Sequence, residues 1–192
     1  MAFDEFNMVD RARAFARSAH GSQTYGRDGL SYGYHLEKVH NVMLWMGITD
    51  PEMLAAALLH DTIEDTQVRY GDVRDAFDMR VAELVYAVTD ELGRNRTERH
   101  EKTYPKINAN PDAILLKLAD RIANVEYGWS LYLEQKVGSP TPRMLGIYQK
   151  EHQAFRDALW HAMAESHKSW QYLDELLKDF TEGNEPTLRE GA

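Results

Sequence analysis

The chain has 192 residues, of which 43% are hydrophobic and 28% charged, a composition typical of a folded domain with a sizeable core. Its formal net charge of −9 argues against a non-specific nucleic-acid-binding protein, which needs a basic face. Cysteine is absent, which excludes disulfides, zinc thiolate clusters and a cysteine nucleophile.

Helix signals dominate the first half of the chain. Residues 1–5 are acidic and lack the basic-then-apolar order of a signal peptide. Asp4 is a candidate cap for a first helix, whose apolar residues recur near helical spacing. Residues 21–34 contain four glycines, a composition that predicts a loop with a functional role. A second helix ends at Gly47, and a third, almost wholly apolar, follows over residues 53–59.

The second half of the chain is also read as helical. Residues 90–104 are almost wholly polar, and a strong helix is predicted over residues 113–127. No segment sustains the alternation of a strand, and no run of about 18 apolar residues predicts a membrane-spanning helix. We therefore expect an all-α, cytoplasmic protein. One domain, a bundle of about eight or more helices, is predicted over residues 1–180, followed by a flexible tail over residues 181–192.

An unusual cluster of ionisable residues follows the apolar third helix. His60 and Asp61 are adjacent, and Glu64 and Asp65 each follow one of them by four residues. Such a set at the end of a buried helix is typical of residues that hold a cation or move protons. The alternative is a pair of residues that merely caps the helix, followed by a solvated helix end.

Two further residues are candidates to complete a metal site with His60 and Asp61. His35 begins a helix after the glycine-rich loop, and Asp120 lies within an otherwise apolar helix, where a carboxylate is costly unless paired or metal-bound. Two His and two Asp suit Mn²⁺, with Fe, Co or Zn as alternatives. Asp120 could instead pair with Lys117 or Arg121, and His35 could be a packed loop histidine.

Glu64 and Asp65 are candidates for the catalytic step. If the helix continues by one turn, each lies beside the metal site without being a ligand. They could then orient a water molecule and take its proton, since a metal lowers the pKa of its water from about 15.7 to about 7. This chemistry is suited to hydrolysis of a phosphoester or phosphoanhydride by water.

Four stretches together resemble the HD-domain metal phosphohydrolase superfamily. Within it, the chain is most similar to the small alarmone hydrolases and the hydrolase domain of the RelA/SpoT group, over roughly residues 10 to 155. The matching stretches are Ala19-His20 with Gln23, Arg27-Asp28-Gly29, Tyr32 and His35; Ala56 to Thr66; Leu116 to Asn124; and Met144 to Tyr148.

This resemblance implies removal of the 3′-pyrophosphate from ppGpp or pppGpp, with Mn²⁺ as cofactor, giving GDP or GTP and pyrophosphate. It implies Glu64 and Asp65 as the pair that activates water. Arg27, Asn124 and Tyr148 match residues that contact the nucleotide. The metal ligands that it implies are His35, His60, Asp61 and Asp120.

The basic run over residues 94–106 matches this family only loosely. Lys102 is a candidate to guide a substrate phosphate, and a solvated helix face is the alternative. The first loop also departs from the family, which usually has two consecutive basic residues where this chain has Tyr25-Gly26-Arg27. These departures spare the metal ligands and affect the substrate pocket.

Three functional hypotheses therefore stay open. The first is the alarmone hydrolase. The second is an HD phosphohydrolase for another nucleotide, such as a deoxynucleoside monophosphate, a cyclic nucleotide or NADPH, and the third is a non-catalytic nucleotide-binding regulator. In each case the expected partner is a small nucleotide rather than nucleic acid or membrane, and the sequence leaves the oligomeric state open.

Overall fold

The structure is a computed structural model that describes residues 2–134, 142–159, 167–178 and 186–190. The chain divides into two units, residues 1–120 and residues 121–192. The prediction of an all-α helical bundle is confirmed, since the described residues form ten helices and one short hairpin. The bounds are α1 Ala2–His20, β1 Thr24–Tyr25, β2 Leu30–Ser31, α2 Gly33–Trp45, α3 Pro51–Leu59, α4 Thr62–Asp65, α5 Tyr70–Ala76, α6 Met79–Val88, α7 Arg96–Asn108, α8 Pro111–Glu134, α9 Arg143–Leu159 and α10 His167–Leu176.

Helix α3 is the centre of the first unit. All seven residues from Met53 to Leu59 are buried, and the helix packs against α1, α2 and α6. Its start is well defined, because Asp50 accepts a hydrogen bond from the backbone N–H of Glu52 at 2.9 Å and Pro51 occupies the first helical position. A helix buried on every side has little freedom to shift, so its C-terminal end is a fixed platform for His60 and Asp61.

A single arginine on α6 ties together the starts of two helices that carry site residues. The Arg80 guanidinium pairs with Asp50 at 2.7 Å and with Glu52, both at the start of α3. It also pairs with Asp112 at 2.9 Å, at the start of α8. Since α8 carries Asp120 and α3 leads into His60, this network holds the N-terminal ends of two helices that position candidate ligands.

The glycine-rich loop predicted over residues 21–34 contains a two-stranded antiparallel hairpin. Tyr25 pairs with Leu30 across it. Gly26 and Gly29 have φ values of 68° and 67°, a conformation that side chains other than glycine rarely adopt. The sequence did not predict these strands, because two residues per strand are too few to produce a visible alternation.

Helix α7 lies in the polar stretch for which the sequence predicted no element. Asn95 accepts a hydrogen bond from the backbone N–H of Glu98 at 2.9 Å, which caps the helix. Glu98 also pairs with Arg94 and Lys102, each four residues away. Capping and charge pairs therefore support a helix whose buried face is narrow.

The second unit comprises the C-terminal part of α8 with α9 and α10. Trp129 and Trp170 are fully buried, and the Trp129 indole N–H donates to the Leu176 carbonyl at 2.8 Å. The buried carboxylate of Glu126 accepts a hydrogen bond from Arg189 at 2.9 Å. Part of the predicted tail thus contacts α8, and the flexibility predicted for residues 181–185 and 191–192 falls outside the described residues.

The structure does not decide whether residues 1–180 form the predicted single domain. That prediction stays a prediction, and the chain clusters into the two units given above. Among the described residues, no helix combines the length and the apolar character needed to cross a membrane.

Replacing Arg80 by Met should lower the free energy of unfolding by about 1 kcal/mol, because a network of three carboxylates loses its shared cation. Urea unfolding measures the change. Arg74→Met is the matched control, since Arg74 pairs with Asp75 at an exposed surface and its loss should leave the free energy of unfolding close to that of the wild type. Equal losses in the two variants would contradict the bridging role of Arg80.

Candidate metal centre and active site

The junction between α3 and α4 places His60 and Asp61 at one point in the first unit. His60 follows the last residue of α3, and Asp61 precedes the first residue of α4. The His60 Nδ1–H donates to the Ala57 carbonyl at 2.9 Å. This bond fixes the ring orientation and leaves Nε2 as the atom that faces the site.

The side chains of His35, His60, Asp61 and Asp120 converge on one small volume. The two Nε2 atoms are 3.2 Å apart. Asp61 Oδ2 lies 3.4 Å from His35 Nε2 and 3.1 Å from His60 Nε2, and Asp120 Oδ1 lies 3.4 Å and 3.7 Å from the same atoms. Two nitrogens that bind one ion at about 2.1 Å are themselves roughly 3.0–3.4 Å apart. The set therefore fits a single divalent cation.

Without a cation, the carboxylates and imidazoles of this cluster stabilise each other's charged forms. Burial alone would lower the pKa of His60, but Asp61 and Asp120 outweigh it and raise that pKa to about 10. The pKa of His35 is raised in the same way. Burial would raise the pKa of Asp61, but the facing imidazoles hold it well below its ordinary value. A cation must displace protons from this site.

An aromatic residue from the hairpin covers one metal-ligand candidate. The Tyr25 ring stacks on the His35 ring with centroids 4.8 Å apart and planes 12° apart. His35 Nδ1 is buried and has no hydrogen-bond partner among the described residues. Packing, rather than a hydrogen bond to its second nitrogen, therefore holds the His35 ring.

Lys117 is the cation nearest the carboxylates of the site. Its ammonium pairs with Asp120 at 3.2 Å, and its side chain is only 16% exposed. Burial would lower the pKa of Lys117, but the surrounding charges raise it. These charges come from four carboxylates: Asp120, Asp90, Asp61 and Glu64. The alternative partner of Asp120, Arg121, lies 3.7 Å from Glu151 in the second unit.

Glu64 and Asp65 lie on the short helix α4, beside the cluster. Glu64 Oε2 accepts a hydrogen bond from the Asp90 backbone N–H at 3.0 Å. Burial raises the pKa of Glu64, although the Asp90 N–H and Lys117 act in the opposite direction. Asp65 Oδ2 accepts hydrogen bonds from Tyr32 Oη at 2.8 Å and from Gln23 Nε2 at 3.3 Å. These hydrogen bonds therefore restrict the orientations of both carboxylates.

The four predicted substrate contacts are placed differently. Arg27 is exposed in the turn of the hairpin. Lys102 donates to the Leu92 carbonyl at 2.8 Å, in addition to its pair with Glu98. Asn124 and Tyr148 belong to the second unit, where Arg121 lies over the Tyr148 ring at 4.5 Å. These four substrate roles stay predictions.

Sequence reasoning assigned no role to several residues that contact the site. Lys117 was named only as a possible partner of Asp120, and Tyr25 only as a departure from the family. His20, Gln23 and Tyr32 belong to the first matching stretch but were given no chemistry. The signal that could have singled out Lys117 is its position three residues before Asp120 in a helix that is otherwise apolar.

Comparisons with known proteins match one family profile and several named relatives. The family profile described as HD domain matches residues 12–138. A guanosine-3′,5′-bis(diphosphate) 3′-pyrophosphohydrolase of Aquifex aeolicus is 35% identical over 145 residues, which cover 73% of this chain. The matched region is only 20% of that protein's length. The Danio rerio protein MESH1, of the same enzyme name, is 33% identical over 126 residues, covering 60% of this chain and 70% of MESH1.

One solved structure gives the same result at the level of the fold. It is described as a metazoan ortholog of SpoT that hydrolyzes ppGpp and plays a role in starvation responses. It matches with a TM-score of 0.70 and 25% sequence identity, covering 86% of this chain and 93% of the other. The HD domain implies a divalent metal, and the ligand atoms of His35, His60 and Asp120 lie within 4.8 Å of one another.

Divalent cation binding should become tighter as the pH rises and should release protons. The cation needs neutral imidazoles, whereas the facing carboxylates keep His60 protonated up to a pKa of about 10. Calorimetric titration with Mn²⁺ in two buffers of different ionisation enthalpy measures the number of protons released. Asp120→Asn is the control and should lose most of the binding. Affinity that is independent of pH between 6 and 8.5 would contradict the proposed protonation.

Lys117→Met should destabilise the cation-free protein by about 2 kcal/mol, because Asp120 loses the ammonium that lies 3.2 Å away. Added Mn²⁺ binds only the folded state, and with the ammonium gone it should raise the melting temperature by more than in the wild type. Thermal unfolding with and without Mn²⁺ measures both effects, and Lys117→Arg, which keeps the charge, is the control. If Mn²⁺ raises the melting temperatures of Lys117→Met and of the wild type by the same amount, Lys117 does not have the proposed charge-balance role.

Proposed function

Because this chain belongs to the HD-domain family, we propose that it is a metal-dependent hydrolase that removes the 3′-pyrophosphate from ppGpp or pppGpp. The products are GDP or GTP and pyrophosphate. The observation that carries this proposal is the convergence of two imidazoles and two carboxylates beside the Glu64–Asp65 pair. The enzyme names of the two relatives support the choice of substrate.

The proposed metal ligands are His35, His60, Asp61 and Asp120, and the proposed cation is Mn²⁺. Mixed imidazole and carboxylate ligands suit Mn²⁺, while Fe, Co and Zn are alternatives that the same donors accept. When bound, the cation supplies Lewis-acid chemistry, lowering the pKa of water and neutralising charge on the phosphoryl group. The second nitrogen of His60 is already occupied by the Ala57 carbonyl, which supports Nε2 as the ligand atom.

Glu64 and Asp65 are proposed to act on the attacking water. Hydrolysis of a phosphoester requires a group that takes a proton from water as the new P–O bond forms. Burial raises the pKa of Glu64 and so makes its carboxylate a better proton acceptor. The Asp90 N–H holds Glu64 Oε2 in one direction, which reduces the freedom of the carboxylate before the reaction.

Nucleotide recognition is proposed to involve Arg27, Asn124, Tyr148 and Lys102. Arg27 is exposed and free of regular structure, which suits a contact formed when substrate arrives. Lys102 would have to exchange its contact with the Leu92 carbonyl for a phosphate. Binding of a small nucleotide in the cytoplasm is part of the same proposal.

A second candidate is hydrolysis of another nucleotide by the same metal chemistry. The observation that favours it lies in the hairpin. Where the alarmone hydrolases usually have two consecutive basic residues, this chain has Tyr25-Gly26-Arg27, and Tyr25 packs on His35. The loop thus has one fewer cation for a substrate with two diphosphates.

The decisive assay offers purified protein and Mn²⁺ a panel of ppGpp, GTP, deoxynucleoside monophosphates, cyclic nucleotides and NADPH. We expect pyrophosphate from ppGpp. Glu64→Gln should lower kcat by roughly 10²- to 10⁴-fold and keep its metal, since it removes only the proton acceptor. Asp61→Ala should lose both metal and activity while keeping its helical circular dichroism.

Each contrary result has a distinct meaning. Turnover of another member of the panel, with none of ppGpp, would replace the first candidate by the second. Full metal occupancy in Asp61→Ala would refute the assignment of that ligand. Unchanged turnover in Glu64→Gln would refute its role with water.

A further inference from the structure

Asp65 is exposed, yet one of its two oxygens is held by two separate donors. Tyr32 Oη lies 2.8 Å and Gln23 Nε2 3.3 Å from the same atom, Asp65 Oδ2. An exposed aspartate at the end of a four-residue helix would otherwise sample several rotamers. Two donors on one oxygen select one orientation and leave the other oxygen, Oδ1, for another partner.

Both donors are themselves held by one buried histidine. The His20 ring stacks on the Tyr32 ring, with centroids 4.3 Å apart and planes 11° apart. His20 Nδ1 lies 2.9 Å from Gln23 Oε1. An amide oxygen only accepts, so His20 Nδ1 carries the hydrogen, and the Gln23 NH₂ group is thereby turned towards Asp65. His20 is only 6% exposed, so this arrangement has a rigid base.

Tyr32 also touches a proposed metal ligand. Its hydroxyl lies 2.6 Å from Asp61 Oδ2, but one O–H can donate to only one carboxylate at a time. A cation that neutralises Asp61 leaves Asp65 as the stronger acceptor, because a charged acceptor forms the stronger bond. With a cation bound, the Tyr32 hydroxyl would therefore donate its hydrogen bond to Asp65.

We infer that His20, Gln23 and Tyr32 form a clamp that positions Asp65, holding Oδ2 so that Oδ1 takes the proton of the attacking water. This inference rests on the proposed function of the site. The three clamp residues are positioning residues, since they act through Asp65 and contribute no atom to the reaction. The clamp also links cation binding to the orientation of the base through a single hydroxyl.

The principal test is a double-mutant cycle with Tyr32→Phe and Asp65→Asn. Loss of a hydrogen bond to a charged group should lower kcat about tenfold in Tyr32→Phe, with KM changed less than about twofold. In the Asp65→Asn background the same change should have almost no effect, since the group it positions is gone. Tyr70→Phe, which removes a hydroxyl from a ring packed on Tyr86, is the matched control and should keep full activity.

The Mn²⁺ affinity of Tyr32→Phe, measured by calorimetry, shows whether Tyr32 acts through Asp61 or through Asp65. The clamp predicts a change of less than about threefold, because its action is on Asp65. A larger loss that accounts for the fall in kcat would mean that Tyr32 acts through Asp61, and would overturn the inference. So would an equal effect of Tyr32→Phe in the wild-type and Asp65→Asn backgrounds.

A measurement that needs no turnover keeps this test independent of the substrate. In Mg²⁺-loaded protein, the Gln23 side-chain NH₂ signals in the NMR spectrum should shift in Asp65→Ala and in His20→Phe. The second variant keeps an aromatic ring against Tyr32 but removes the hydrogen bond to Gln23. Unchanged signals would refute the clamp, whereas failure of ppGpp hydrolysis with shifted signals would refute only the proposed substrate.

Discussion

Charge balance around buried carboxylates is the constraint on which the first unit depends. Asp61 and Asp120 are held against His35 and His60, and Lys117 lies behind Asp120 at 3.2 Å. A lone buried carboxylate would be protonated or would destabilise the fold, so each one needs a cation of some kind. In the cation-free protein the Lys117 ammonium faces Asp120, and the facing carboxylates raise the pKa of both imidazoles. A divalent cation would take the place of imidazole protons.

This constraint accounts for the rigid surroundings of the site. Helix α3 is buried on all sides and ends where the ligands begin, and Arg80 fixes the starts of α3 and α8 together. The hairpin adds Tyr25 against the His35 ring. A cation site tolerates only small errors in ligand position, and each of these contacts removes one way in which a ligand could move. The contacts that stabilise the scaffold thus also hold the candidate ligands in position.

The sequence predicted those parts of the structure that carry strong local signals. The apolar run before His60, together with Asp50 and Pro51, predicted α3. The metal roles of His35, His60, Asp61 and Asp120 stay predictions, although the four side chains converge. The hairpin and α7 were missed for different reasons. Two-residue strands carry no periodicity, and α7 depends on the Asn95 cap and on Glu98 charge pairs more than on an apolar face. The contacts of Tyr32 with Asp61 and Asp65 could not be predicted, because they join residues distant in the chain.

The arrangement around Tyr32 suggests a reason why the proposed metal ligands and the proposed catalytic pair lie close together in the sequence. Asp61 and Asp65 are four residues apart across the start of α4, so both reach one hydroxyl. A base fixed by a group independent of the metal would be equally ready with or without a cation. A base that shares its donor with a metal ligand would be fully oriented only with the cation bound. If Asp61 and Asp65 have the proposed roles, the short spacing between His60-Asp61 and Glu64-Asp65 would thus make the readiness of the base depend on occupancy of the metal site.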